Sequence, residues 1–276
     1  MMFCKKTILE VPETIRQALA EGVSGDIFDK AMQLQGKVFR DVPGRKTMQI
    51  QIGGKSYFIK QHLGVGWGEI VKNLMTLKAP IIGAMTEVRA IQKLQAIGIP
   101  TTPLVAYGQQ GCSPASMRSF VLTEDLGDIT SLEDLSADWQ EKPAEFKQKI
   151  MQAIAAMASK LHGAGCCHRD FYLCHFALKK SELDAGAFNL HLIDLHRMLQ
   201  GQPSNSGAVM KDIAGLYFSA KQCGLSVQDL VQFRQHYLPQ SEPFWQQVEA
   251  RSEALLAKFN SEKFQAKLAV ERERVR

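Results

Sequence analysis

No Cys-x-x-Cys pair occurs among the six cysteines of this 276-residue chain, which argues against a zinc ribbon or a thioredoxin-type motif. No stretch approaches the roughly eighteen unbroken apolar residues of a membrane-spanning helix, and the N-terminal residues lack the continuous apolar core of a secretory signal. The chain is therefore expected in the cytosol, with its cysteines (4, 112, 166, 167, 174 and 223) as reduced thiols, mostly small core residues. A large excess of one charge is also missing: 33 basic residues against 28 acidic leave a net +5. That suits a polyanionic ligand or an anionic membrane surface, but not the dense basic stripe of a nucleic-acid binder, so no nucleic-acid partner is expected. Internal repeats and low-complexity tracts are absent, and a 45% hydrophobic composition excludes wholesale disorder.

What is present concentrates in residues 162–176, HGAGCCHRDFYLCHF, with His168-Arg169-Asp170 at the centre. Ile150, Ile154, Met157 and Leu161 recur at the spacing of one helical face before it, and Gly163 and Gly165 supply a stop. After it, residues 189–195 predict a short apolar strand carrying Asp194. Five of the seven histidines fall between His162 and His196, in the segment that also holds Asp170 and Asp194. Core packing alone does not account for that density. A helix, a loop bearing histidine and aspartate, a strand and a second aspartate resemble the catalytic-loop and metal-aspartate pattern of protein-kinase-like phosphotransferases.

Toward the N-terminus, residues 8–35 predict one or two short helices, followed by strand-like runs at 38–40, 47–52 and 56–59 with Pro43-Gly44 and Gly53-Gly54 as hairpin turns. The third run ends in Lys60, which is either a snorkelling edge residue or one half of an ion pair. Glu87 lies beside the apolar face Val88, Ile91 and Leu94 of a predicted helix, and a carboxylate there needs a cation; Lys60 is the candidate. Gly64 to Gly68 and the stretch with Trp67, Lys72 and Lys78 read as a mobile flap or an acceptor-side element, with Trp67 either at a membrane surface or in a core. A strand at 120–123 leads to Glu124, Asp125 and Leu126, where a two-lobed kinase holds the adenine by main-chain groups; the two acids are equally readable as solvated loop residues. Ser226 followed by Asp229 predicts a helix cap, and the chain beyond Asp194 is mostly helical.

Phosphoryl transfer requires a base for the acceptor hydroxyl, a carboxylate for magnesium and a cation on the donor phosphates. Asp170, Asp194 and Lys60 answer those needs, with Glu87 orienting Lys60 and with His168 and His175 flanking the base. Composition and spacing reach as far as a small-molecule or glycolipid kinase. The strings GKSYFIK, WGEIVKNL, LHGAGCCHRDFYLCHF, LIDLHR and KDIAGLYFS, spread over about residues 30–240, resemble the lipopolysaccharide core heptose (I) kinase family of Gram-negative bacteria. The resemblance implies an α+β, protein-kinase-like fold of two lobes, a small antiparallel-sheet lobe at 1–125 and a mainly helical lobe at 126–276. It further implies ATP and Mg2+ as cofactors and a heptose hydroxyl of the lipopolysaccharide inner core as acceptor. Location at the cytoplasmic face of the inner membrane and an acyl carrier protein as partner follow from the same likeness.

Two departures from the protein-kinase pattern bear on the site. No Gly-x-Gly-x-x-Gly separates the first two strands, so Arg45 or Lys46 is expected to meet the phosphates. His175 stands where a protein kinase has a metal-binding asparagine; magnesium favours oxygen ligands, so His175 is expected to orient Asp170 or a phosphate rather than bind metal strongly. Alternative acceptors are another inner-core sugar such as Kdo or an aminoglycoside-like molecule, and a pseudokinase binding module is the reading from a different class.

Overall fold

The computed structural model describes residues 7–20, 25–64, 66 and 83–273. Cys4, Trp67, Lys72 and Lys78 lie outside them. Contacts divide the chain into two compact units, residues 1–127 with 194–197, and residues 128–193 with 198–276.

The first unit is built on a six-stranded antiparallel sheet of order β1-β5-β6-β4-β3-β2. Its strands are β1 (Thr7–Glu10), β2 (Lys37–Val42), β3 (Arg45–Ile52), β4 (Lys55–His62), β5 (Leu104–Gln110) and β6 (Arg118–Glu124). Gly53 and Gly54 both have positive φ, 55° and 77°, the backbone that a two-residue hairpin needs to match the strand twist. Side-chain alternation sorts β3 and β4 into two faces. Met48, Ile50, Ile52, Tyr57 and Ile59 point one way and are buried under helices α1 (Glu13–Ala20) and α2 (Ile27–Gln33) through Ile15, Leu19, Phe28 and Ala31. Residues 8–10, expected as part of a helix, instead form a strand with Thr7: pairing with β5 satisfies a ladder of backbone groups that four residues could not satisfy as a helix. Helix α3 (Met85–Ala96) buries Val88, Ile91 and Leu94, and Glu87 with them. Cys112 is disulfide-bonded rather than a reduced thiol.

The second unit is mainly helical. A small sheet β7-β8-β9 (Ile129–Ser131, Phe176–Lys179, His191–Leu192) accompanies α4 (Leu132–Leu135), α5 (Ala144–Gly163), α6 (Lys180–Asp184), α7 (Gly207–Gln222), α8 (Val227–His236), α9 (Glu242–Phe259) and α10 (Glu262–Glu273). Helix α5 buries Ile150, Ile154, Met157 and Leu161 and runs through Gly163; Gly165, at φ 72°, takes the left-handed turn that follows. Ser226 and Asp229 form a full capping box on α8, and Asp229 also accepts the Trp139 indole N–H at 2.9 Å. The expected strand at 189–195 shortens to His191–Leu192, so Asp194 lies beyond it. None of the described helices is long and apolar enough to cross a membrane.

Candidate active site

In the first unit the sheet face opposite the core carries the charged residues. Strand register pairs Arg45 with His62, Thr47 with Lys60 and Gln49 with Phe58, so all six share that face. Lys60 donates from Nζ to Glu87 Oε1 at 2.7 Å and to Asp194 Oδ1 at 2.9 Å. Burial alone would push the Lys60 ammonium down, but the two carboxylates outweigh it and hold its pKa above the ordinary lysine value. Glu87 is 4% exposed, and its other oxygen, Oε2, is buried with no partner.

Asp194 has φ 62°, a left-handed backbone that is uncommon outside glycine and places strain at a residue whose carboxylate is used. Its Oδ1 also accepts from His196 Nδ1 at 2.8 Å. Burial favours the neutral acid, yet the His196 hydrogen bond and the Lys60 charge overcome it and hold Asp194 well below the usual carboxylate range. An anionic, partly exposed oxygen donor is the ligand type a hard divalent cation prefers, so Asp194 fits magnesium. Arg45 lies on the same face; burial, then the charge of Arg40, lower its pKa against the opposing pull of Asp194 and Glu87. Lys46 points the other way by strand parity and pairs with Asp41 at 3.2 Å. Of the two cations expected on the phosphates, only Arg45 shares the Lys60 face.

Glu124 ends β6 exposed, its amide bonded to the Pro103 carbonyl at 2.9 Å, and Leu126 is half-buried. Between them Asp125 accepts from Ser56 and Gln49 at 2.7 Å each and from the Gly127 amide at 2.9 Å. Burial raises the Asp125 pKa, but these bonds outweigh it and keep the side chain ionised. Asp125 thus pins the turn after β6 instead of sitting as a solvated loop acid.

The second unit holds the loop expected to carry the base. His168 is fully buried; Nε2 lies 2.9 Å from the Ile193 carbonyl and Nδ1 accepts the Asp170 amide at 3.3 Å. The donor at Nε2 and the acceptor at Nδ1 define a neutral tautomer, in agreement with burial lowering the His168 pKa. His175 Nδ1 is 2.6 Å from the main-chain oxygen of Asp170. This histidine therefore braces the backbone of the expected base.

A residue outside the expected site fixes the loop from below. Asp212 of α7, 2% exposed, accepts the His168 amide on Oδ2 at 2.5 Å and the Arg169 amide on Oδ1 at 2.8 Å. Arg169 has φ 75°, so this bond holds a non-glycine residue in the left-handed region. His162 connects to the same carboxylate at 3.4 Å and to the Tyr237 hydroxyl at 2.8 Å. Cys167 completes a buried group of possible metal ligands with His162 and Asp212. Burial, then the Asp212 charge, push its thiol up to about 12, and both Asp212 oxygens already serve the loop. The group is a hydrogen-bonded anchor for the loop. Gly215, one turn along α7, leaves room for Tyr172: an added Cβ would stand 3.1 Å from its ring.

Lys60, Glu87 and Asp194 thus come together, as do His168, Asp170 and His175. Asp212 and His62 carry no expectation from the sequence, and His162 and His196 enter there only as members of the histidine cluster. A carboxylate directly before the apolar run IAGLY is the available signal for Asp212, since such a group, where it is buried, must find donors.

The sequence pattern of the Lipopolysaccharide kinase (Kdo/WaaP) family matches residues 29–237. The chain is 42% identical over 215 residues to the lipopolysaccharide core heptose(I) kinase WaaP of Pseudomonas aeruginosa, covering 77% of this chain and 80% of that protein. It is 37% identical over 243 residues to the enzyme of the same name from Escherichia coli, covering 82% and 90%. A solved structure described as WaaP in complex with acyl carrier protein superposes with a TM-score of 0.75 at 33% identity, covering 90% of this chain and 99% of that one. Taken with a lysine shared between helix glutamate and metal-type aspartate, and with a histidine-braced aspartate loop, these likenesses show that the chain belongs to the lipopolysaccharide kinase (Kdo/WaaP) family and is a phosphotransferase acting on a sugar hydroxyl.

Proposed function

We propose that the chain transfers the γ-phosphate of ATP to a heptose hydroxyl of the lipopolysaccharide inner core. The observation that carries this is Lys60, held between Glu87 and Asp194 at 2.7 and 2.9 Å, an arrangement that readies one ammonium for donor phosphates and one carboxylate for a metal. Asp194 is the magnesium ligand, and the bound ion supplies charge neutralisation on the transferring phosphate. Arg45 adds a second cation on the Lys60 face. Asp170 accepts the acceptor hydroxyl proton, positioned by the His168 and His175 bonds to its backbone. Glu124 and Leu126 flank the nucleotide base. The heptose acceptor rests on the names of the relatives and on the identity they share with this chain. An acidic acyl carrier protein is the proposed partner, supported by the complex recorded for the structural neighbour and by the net +5 charge. The proposed location is peripheral, at the cytoplasmic face of the inner membrane where the acceptor lipid is held.

Phosphate transfer from ATP to heptose-bearing core, read by mass of the acceptor, tests the reaction. Asp170→Asn should lower kcat by roughly 10²–10⁴-fold while leaving nucleotide KM near the parent value. Undiminished turnover in that protein would remove Asp170 from the role of base. Transfer to Kdo but not to heptose would move the acceptor assignment, and nucleotide binding without turnover on any acceptor would support a pseudokinase.

A further inference from the structure

The loop around Asp170 sorts its aromatic residues. Phe171 and Phe176 are fully buried, with ring centroids 4.9 Å apart. Tyr172 is half-buried instead, and its amide donates to the Asp170 carbonyl at 3.0 Å. Its ring lies over Gly215 of α7, where an added Cβ would stand 3.1 Å away, and it meets the Phe218 ring at 82° with centroids 6.1 Å apart. Phe218 in turn meets Phe259 at the end of α9, at 5.8 Å, and Phe259 meets Phe264 of α10 at 5.7 Å. All four of these rings are half-buried, so an aromatic strip leads from the Asp170 loop along one side of the second unit. Lys211, Gly215 and Phe218 recur on α7 at offsets of four and seven, which is one helical face. An exposed lysine therefore edges the strip one turn before Gly215.

We infer that this strip is the acceptor-sugar platform: one ring of the acceptor lies on Tyr172 against Phe218 and turns a hydroxyl toward Asp170. The inference rests on the kinase reading above and deepens it by naming the residues that hold the acceptor. Tyr172 follows Asp170 by two residues, so their Cα atoms are at most about 7.6 Å apart, the reach of one sugar ring with its hydroxyls. Two rings at 82° make a floor and a wall rather than a double stack. A pyranose has an apolar C–H face to lay on such a floor and a rim of hydroxyls to turn toward polar groups. A loop that had only to fold would bury Tyr172 as it buries Phe171 and Phe176. Tyr172 is held at the surface instead, on a backbone braced by the Asp212 and His175 bonds. Glycine in mid-helix is unfavourable relative to alanine, and at Gly215 it gives the Tyr172 ring a close seat on α7. Lys211 at the rim favours a sugar over an acyl chain, because a cation can bind hydroxyl or carboxylate oxygens and offers a hydrocarbon nothing.

Steady-state phosphate transfer by the full chain, with acceptor and ATP varied separately, tests the platform. Two acceptors are used, the intact heptose-bearing core glycolipid and the same oligosaccharide stripped of its acyl chains. Tyr172→Ala should raise the KM of both acceptors about tenfold, the loss of one aromatic contact. The ATP KM, and kcat at saturating acceptor, should stay near the parent values. Tyr172→Phe keeps the ring and should restore the acceptor KM. Gly215→Ala displaces the ring by a few tenths of an ångström and should raise the acceptor KM about threefold with no group added to or removed from the site. If Tyr172→Ala melts early, Tyr172→Leu keeps apolar bulk without a flat face and should show the same selective rise. An unchanged acceptor KM, or an ATP KM that rises in parallel, overturns the inference. So does an effect confined to the acylated acceptor, which would make the strip an acyl-chain site. Calorimetric titration with the deacylated oligosaccharide separates this inference from the reading it rests on. Binding that Tyr172→Ala weakens, in a protein that transfers no phosphate, sustains the platform and defeats the kinase reading; transfer by Tyr172→Ala at the parent acceptor KM defeats the platform alone.

Discussion

Replacing Asp212 by asparagine probes the support of the catalytic loop more directly than any change in the loop itself. The carboxylate is buried and receives two main-chain N–H groups at 2.5 and 2.8 Å. Hydrogen bonds to a charged group are worth about 1.5–3 kcal/mol each. Asparagine keeps the shape and one acceptor but turns an NH2 toward an amide N–H, so at least one bond is lost and a donor is left facing a donor. The bond to Arg169 also offsets a left-handed backbone costing roughly 1–3 kcal/mol, which would then lack its restraint. Breaking this buried network should destabilise the protein by about 3–5 kcal/mol, a fall in Tm of about 10 °C for a chain of this size. Displacing Asp170 by an ångström should cost a further roughly 10²-fold in kcat. Nucleotide KM, set by Lys60 and its neighbours, should stay near the parent value. Differential scanning fluorimetry and steady-state kinetics read both effects. A Tm within about 2 °C of the parent together with unchanged kcat would refute the anchoring role.

Acidification should weaken the protein through His62. Burial, then Arg45, Lys60 and His196, lower its pKa to about 3, whereas the unfolded chain takes up the proton near 6.5. The unfolded state binds more protons across that interval, so stability falls as pH drops below 6.5, by up to about 1.4 kcal/mol per unit. His62→Gln should remove this part of the slope in urea unfolding followed from pH 7 to 5; an unaltered slope would exclude His62 as its source. Glu87→Gln removes the charge that holds Lys60 and should lower kcat/KM for ATP about 10–100-fold, from the loss of one charged hydrogen bond. Equal kcat/KM in the two proteins would show that Asp194 alone suffices to place the ammonium.

Local chemistry made part of this legible. Lys60 at the end of an apolar run and Glu87 on an apolar helix face each announce an unpaired charge, and the other is the nearest solution. The loop around Asp170 shows itself through the density of histidine. Long-range pairings were not legible. Nothing near residue 7 signals that β1 will add to β5, and Asp212 reaches a loop more than forty residues earlier in the chain. The choice between Arg45 and Lys46 depends on strand parity, which a one-residue shift reverses. A β-bulge at Phe39 in β2, between the Val38 and Arg40 pairings, has the same character: only the count of paired residues on β3 reveals it.

Among the described residues just two non-glycines, Arg169 and Asp194, adopt positive φ, and they differ in what an engineer may do with them. At Asp194 the strained backbone and the used carboxylate are one residue, so glycine would relieve the first only by deleting the second. At Arg169 the loop uses the amide, and the Asp212 bond survives any side chain. Glycine there trades a steric penalty of about 1–2 kcal/mol against an unfolded-state entropy gain of about 0.5–1 kcal/mol. Thermostabilisation of this enzyme therefore has room to act at one of its two strained positions and none at the other.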